Sequence, residues 1–187
     1  MAKLIYSFLA SLDGYIADDA GGFEWAVPDE EVLDFINETE RDVGTYLYGR
    51  TMYEMMIGWE NDPAVAQQSP KSAEFAQIWQ AAEKIVYSRT LESASTKRTR
   101  IERSFDPELV REIKAAAGHD LNISGAHVAA SAWHAGVIDE CNIFVAPMLV
   151  GGGKRMFPEN LRQPLQLLDE RRFRNGMVFL RYAVTHE

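Results

Sequence analysis

At 187 residues, with 47% apolar and 25% charged side chains, the chain has the size and balance of one globular domain. Two full domains would be cramped, and nothing in the composition predicts disorder. The net charge of −9 argues against a nucleic-acid or anionic-membrane surface, which needs a contiguous basic face, so a phosphate ligand must be held by local positive features.

Lys3 to Ala10 reads as a strand, ended by the turn-prone Ser11-Leu12-Asp13-Gly14. The apolar run is broken early by Asp13, unlike a signal peptide, and no apolar stretch approaches the roughly 20 residues that span a bilayer. A cytoplasmic protein is expected. Gly21-Gly22 marks a loop, and Pro28-Asp29-Glu30-Glu31 starts a helix whose apolar face is Val32, Leu33, Phe35 and Ile36. Thr45 to Tyr48 is a short strand and Arg50 to Ile57 a short helix. Asn61 to Pro70 is polar with proline near both ends, and reads as a surface loop or helix connection.

Lys84 to Ser88 is a buried-strand candidate, and the basic stretch Thr96 to Arg103 carries another strand. Pro107 to Ala117 is a helix with Asp106 as N-cap, proline at its first position and Gly118 past its end. Asp120 to Ile123 is a strand, Ala126 to Ala135 a helix closed by Gly136, and Ile138 to Ala146 a longer strand. Cys141 falls in that strand as a small core residue. As the only cysteine it leaves no intrachain disulfide and no basis for a cysteine metal site, and no metal is expected. Leu165 to Phe173 and Met177 to Val184 are joined through Asn175-Gly176, a strong hairpin signal. Strands alternating with helices, then a terminal hairpin, predict one α/β domain over residues 1–187, a mixed sheet covered on both faces.

In such sheets ligands sit beyond the carboxyl ends of parallel strands, beside helix N-termini. Three strand-to-helix passages qualify: Gly49-Arg50-Thr51, then Ser88-Arg89-Thr90-Leu91, then Ser124-Gly125-Ala126-His127. Small and hydroxyl residues let the backbone approach a ligand, while Arg50 and Arg89 add fixed charge. Each alone is equally a turn, a polar strand exit or an N-cap. Their recurrence at successive strand ends points to a cleft for an extended anion such as a dinucleotide, although none matches Gly-x-Gly-x-x-Gly.

The chain resembles the dihydrofolate reductase-like superfamily, and is most similar to the C-terminal reductase domain of the riboflavin-biosynthesis deaminase-reductase in stand-alone form. The resemblance rests on Ser11-Leu12-Asp13-Gly14-Tyr15-Ile16-Ala17, on Leu47-Tyr48-Gly49-Arg50 with Tyr53-Glu54, on Ile123-Ser124-Gly125-Ala126, and on Gly136-Val137-Ile138-Asp139-Glu140 through Ala146-Pro147-Met148-Leu149-Val150-Gly151-Gly152-Gly153. It runs nearly the whole length, and no deaminase signature accompanies it. It implies a three-layer α/β/α fold around a mixed, mostly parallel sheet with a C-terminal β-hairpin. It also implies an NADPH-dependent pyrimidine reductase that forms a homodimer.

By that resemblance Ile16 and Ala17 present backbone to the nicotinamide, and Gly49, Arg50 and Thr51 cradle phosphate. Ser88 and Arg89 lie near the adenosine 2′-phosphate, and Ser124, Gly125, Ala126 and His127 follow the pyrophosphate. The matching Gly-Gly junction of the superfamily can be a cis peptide; here it is Ser124-Gly125. Asp13 and Glu30 are the candidate catalytic carboxyls. Asp13 otherwise supports its turn, and Glu30 otherwise serves the helix dipole. Glu30 is reached by the register of Trp25-Ala26-Val27-Pro28, a loose echo of the dihydrofolate reductase Trp-x-x-Pro followed by an acid. Gly151 and Gly152 offer a backbone nest for a substrate phosphate, or else a turn near the cofactor. Trp25 and Tyr53 wall the substrate side, or else pack the core.

One departure bears on the substrate. Glu24 to Asp42 is strongly acidic where the family offers a basic or hydroxyl-rich wall, so a neutral or cationic small molecule is expected rather than the ribose phosphate. The alternatives are a dihydrofolate or pterin reductase and an NADPH-binding sensor without turnover.

Overall fold

The computed structural model describes residues 1–185. Its first strand, β1 (Leu4–Ser11), shows why the centre forms as it does: Leu4, Tyr6, Phe8 and Ala10 point to one side of the sheet, while Leu9 belongs to a cluster on the other. A strand apolar on both faces needs helices on both faces. β2 (Tyr15–Ala17) and a 3₁₀ turn at Glu24–Ala26 lead into α1 (Glu30–Glu40), whose N-cap Asp29 accepts a hydrogen bond of 3.0 Å from Val32 N. Then come β3 (Val43–Gly49), α2 (Arg50–Met56), the one-turn helices α3 (Gly58–Asn61) and α4 (Pro63–Ala66), and α5 (Pro70–Ala81). The chain continues through β4 (Glu83–Tyr87), β5 (Thr99–Glu102), α6 (Pro107–Ala116), β6 (Asp120–Ser124), α7 (Ala126–His134) and β7 (Glu140–Ala146). It ends with β8 (Lys154–Arg155), β9 (Leu165–Arg172) and β10 (Val178–Val184).

Eight strands lie in the order β5-β4-β3-β6-β1-β7-β10-β9. The first six are mutually parallel, and β10 and β9 close the sheet as an antiparallel hairpin. One face packs Val110 of α6 and Val128, Ala129, Ala132 and Trp133 of α7 against the central strands. The other carries two clusters. Tyr46, Tyr48 and Val86 meet Tyr53, Phe75 and Trp79, while Phe144, Phe173 and Phe179 meet Val32 and partly buried Phe35. This is the expected three-layer α/β/α arrangement with its mostly parallel sheet and terminal hairpin.

Three local readings need refining. Asn61 to Pro70 is the helix connection rather than an open surface loop, joining α3 to α5 and holding the short α4, which Asp62 caps through Ala64 N at 2.9 Å. Pro70, read as the end of that loop, is the first residue of α5, capped by Ser69 through Ser72 N at 3.1 Å. Phe75, Ile78 and Trp79 then follow at helical spacing. The C-terminal turn spans Arg174, Asn175 and Gly176 rather than two residues, because Phe173 N bonds Met177 O at 2.9 Å and Gly176 supplies the positive φ of +89°. No cis peptide bond occurs among the described residues, the Ser124-Gly125 junction included.

Candidate active site

Parallel pairing puts the ends of β4, β3, β6, β1 and β7 side by side. Gly49 is registered with Tyr87, Tyr48 with Ser124, and Ser11 with Ala146. The three corners singled out in the sequence are therefore neighbours along one edge of the sheet, although only those at Gly49 and Ser124 open helices. The Ser88 passage, read as a third strand-to-helix turn, runs through a loop into β5, because the chain after Leu91 is polar and lacks an apolar helical repeat. A side-chain contact ties two of them: Arg50 Nη1 donates to Thr90 Oγ1 at 2.8 Å, while its Nε donates to Glu54 Oε1 at 2.7 Å. Backbone approach ties the other pair. Gly125 has φ +107°, and a Cβ there would lie 3.6 Å from Gly49 N and 3.5 Å from Met52 Cβ. A side chain at residue 125 would fill the cradle between the two corners.

The Ser88 corner is more built than the sequence implies. Ser88 is buried, and its Oγ accepts from Leu91 N at 3.0 Å and from Thr90 N at 3.3 Å. Arg103 Nη1 donates to the carbonyls of Ser88 and Leu91, at 3.0 and 2.7 Å, so a second guanidinium stands beside exposed Arg89. Sequence reasoning missed Arg103 because it comes from the far end of β5, and only the pairing of β5 with β4 brings it to this corner. Thr51 and His127 are exposed at their helix starts. Ser124 sits at its corner, but its hydroxyl faces the sheet, 2.9 Å from Ser7 O. Gly125, Ala126 and His127 therefore offer backbone rather than that hydroxyl.

On the other flank Asp13 organises the turn after β1. Its carboxylate accepts from Ser11 Oγ at 2.6 Å, from Val150 N at 3.1 Å and from Gly151 N at 2.7 Å. These donors, led by the Ser11 hydroxyl, hold the carboxyl down at about 2, and it is an anion at neutral pH. The nest read at Gly151 is thus filled from within the chain. Gly152 faces Asp19, since a Cβ there would lie 3.0 Å from Asp19 Oδ2. Gly153, at φ +122°, passes so close to β2 that a Cβ would sit 2.2 Å from Ala17 O. This contact and the β2–β8 pairing fix Tyr15 and Ala17 against Arg155 and Lys154, with Ile16 packed on the main core. Ala17 to Gly21, Gly153 and Lys154 line an open depression of about 490 Å³.

The helix α1 leads into the start of β3, so its first turn, with exposed Glu30, lies toward the carboxyl ends of the strands. Trp25 is half-buried against the cluster of Phe144, Phe173 and Phe179, with Nε1 buried and unpartnered. Tyr53 is withdrawn from any substrate: it is 2% exposed, and its hydroxyl accepts from Ser95 N at 3.0 Å and Thr96 N at 3.2 Å. It packs the core and anchors a loop. Burial pushes the Cys141 thiol up to about 12, which leaves it no nucleophilic thiolate.

The profile of the RibD C-terminal domain matches residues 2–179. The chain belongs to that family. It is similar over 184 residues, at 26% identity, to the uncharacterized protein YyaP of Bacillus subtilis (strain 168), covering 96% of this chain and 94% of that one. A solved structure from Shewanella sp. PV-4 matches with a TM-score of 0.76 and 21% identity over 100% of both chains. The Thermotoga maritima diaminohydroxyphosphoribosylaminopyrimidine deaminase/5-amino-6-(5-phosphoribosylamino)uracil reductase matches with a TM-score of 0.65 and 13% identity, over 98% of this chain and 57% of that one. At such identities the solved structures share the fold. No helix among the described residues of this RibD C-terminal domain is long and apolar enough to cross a membrane.

Proposed function

We propose that this RibD C-terminal domain protein is an NADPH-dependent reductase whose substrate is neutral or cationic rather than a phosphate ester. The observation that carries the cofactor reading is the junction of adjacent corners through Arg50–Thr90 and Gly49–Gly125. In a chain of net charge −9, Arg50, Arg89 and Arg103 gather cationic groups at one end of this edge, where a 2′-phosphate and pyrophosphate need them. The backbone of Gly49 to Thr51 and Gly125 to His127 would hold the phosphates, and Ile16 and Ala17 would face the nicotinamide. NADPH, when bound, supplies the hydride.

The remaining work of the chain is placement, exclusion of water and delivery of a proton. Asp13 is a poor proton donor, because its ionised form is held by Ser11, Val150 and Gly151. That leaves Glu30, or a water it orients, as the proton source. The same Asp13 carboxylate occupies the N–H groups that a substrate phosphate would need, which supports a non-phosphorylated pterin-like, carbonyl or imine substrate. Exposed Leu165, Leu167 and Leu168 on the edge strand β9 support a homodimer, and the composition fits a cytoplasmic protein.

Fluorescence titration with NADPH, followed by absorbance at the nicotinamide band with pterins, pyrimidinones and aldehydes, tests the reading. Binding with oxidation by a non-phosphorylated acceptor is expected. No NADPH binding refutes it. Binding without turnover across the panel favours the sensor alternative.

A further inference from the structure

The sheet face under α1 holds polar side chains that the proposed chemistry does not use. Glu40, in the last turn of α1, is 5% exposed, and no cation pairs with it among the described residues. Asn122 of β6 is 3% exposed and directs its amide nitrogen at both carboxyl oxygens of Glu40, at 2.9 and 3.1 Å. Its amide oxygen lies 3.1 Å from Ser124 Oγ, which is also 2.9 Å from Ser7 O. Tyr46 and Tyr48 of β3 are the other titratable groups close to Glu40. An unpaired buried carboxyl is costly to keep, and apolar packing would serve stability as well.

The chain of contacts has a direction. Toward the Asn122 amide the Glu40 carboxylate can only accept, so it fixes which way that amide faces. With its nitrogen turned to Glu40, Asn122 presents an acceptor to Ser124. The single hydroxyl hydrogen of Ser124 is then held between two acceptors, and the strand end before Gly125 is pinned to β1. Reversing that amide would bring a donor to Ser124 and release its hydrogen from Asn122. Gly125 at φ +107° carries no side chain of its own to hold the corner, so the orientation of the Ala126 and His127 N–H groups depends on the residue before it.

We infer that Glu40 and Asn122 are positioning residues that fix the Ser124–Gly125 corner for the dinucleotide through the Glu40–Asn122–Ser124 contacts. This rests on the cofactor reading above. The test compares Glu40→Gln, which keeps an acceptor for Asn122, with Glu40→Met, which keeps length and removes the acceptor, and with Ser124→Ala. The NADPH Kd and hydrogen exchange of the amides of residues 125–127 without cofactor are both read. Glu40→Met is expected to weaken NADPH about tenfold and speed exchange at the corner, because a buried amide loses its partner. Glu40→Gln is expected to stay within about twofold, and Ser124→Ala to match Glu40→Met, with the double variant no worse than either single one.

A Glu40→Met protein with wild-type Kd and exchange overturns the inference, as does Glu40→Gln losing as much as Glu40→Met. A purely structural role lowers the melting temperature of both Glu40 variants without moving Kd. Should Glu40→Met not fold, Ser124→Ala decides alone, and unchanged Kd and exchange there overturn the proposal. Wild-type protein that binds no NADPH refutes the functional reading, and exchange at the corner then decides the positioning claim by itself.

Discussion

Replacing Glu40 by Gln should flatten the dependence of stability on pH. Burial pushes the Glu40 carboxyl from 4.5 up to about 7, and the polar groups of Tyr46, Asn122 and Ser7 around it offset only part of that. At about 1.4 kcal/mol per tenfold change in proton affinity, the rise amounts to roughly 3 kcal/mol. The folded pKa is the higher one, so the folded state binds the extra proton. The contribution is fully present below about 4.5 and is lost as pH rises through 7. Most of the loss, about 2 to 3 kcal/mol, falls between about pH 5 and pH 8. Urea unfolding of wild type and Glu40→Gln across that range isolates the term, because the glutamine keeps the shape and titrates nothing. The difference between the two should swing toward the variant by about 2 kcal/mol or more as pH rises. Parallel profiles, with the difference constant to within about 0.5 kcal/mol, would refute the claim that this carboxyl is desolvated and unpaired.

Four further outcomes follow from the cleft and its supports. Gly153→Ala forces a Cβ against Ala17 O at φ +122° and should cost roughly 1–3 kcal/mol by thermal melting, with KM raised through displacement of β2. Asp13→Ala should open the Val150 and Gly151 N–H groups, so that inorganic phosphate inhibits the variant more strongly than wild type; equal inhibition would remove the argument from the filled nest. In wild type the depressed Asp13 pKa adds stability above about 4 that disappears as pH falls through about 2, which acid titration of the Asp13→Ala variant should show by its absence. Tyr53→Phe should lose about 1–2 kcal/mol by urea unfolding while kcat/KM stays at the wild-type value, since the hydroxyl holds Ser95 and Thr96 rather than substrate.

The local signals in the chain were read well where one residue type has one physical use. Asp106-Pro107 opened a helix, with Asp106 Oδ1 accepting from Glu108 N at 3.0 Å, and Gly136 closed the next one at φ +62°. The helix α5 was missed although Ser69-Pro70 carries the same start signal, because the polar, proline-bounded stretch before it masked the boundary. Tyr53 illustrates the opposite error. An aromatic residue in a helix beside a cleft has two faces open to it in sequence, and only packing against Phe75, Trp79 and Val86 put it inside.

The sequence by itself determined the alternation of strands and helices, the three corners, the hairpin and the family blocks, because these depend on periodicity, turn chemistry and caps within a few residues. The tertiary structure decided the rest. It set the β4-β3-β6-β1-β7 order that lines the corners along one edge, and it drew Arg103 to Ser88 across a strand pair. It also filled the Gly151 nest with Asp13 and placed Glu40 under Asn122. These pairings join residues far apart in the chain. Hydrogen-bond partners and desolvation depend on which groups meet in space, which local pattern does not specify.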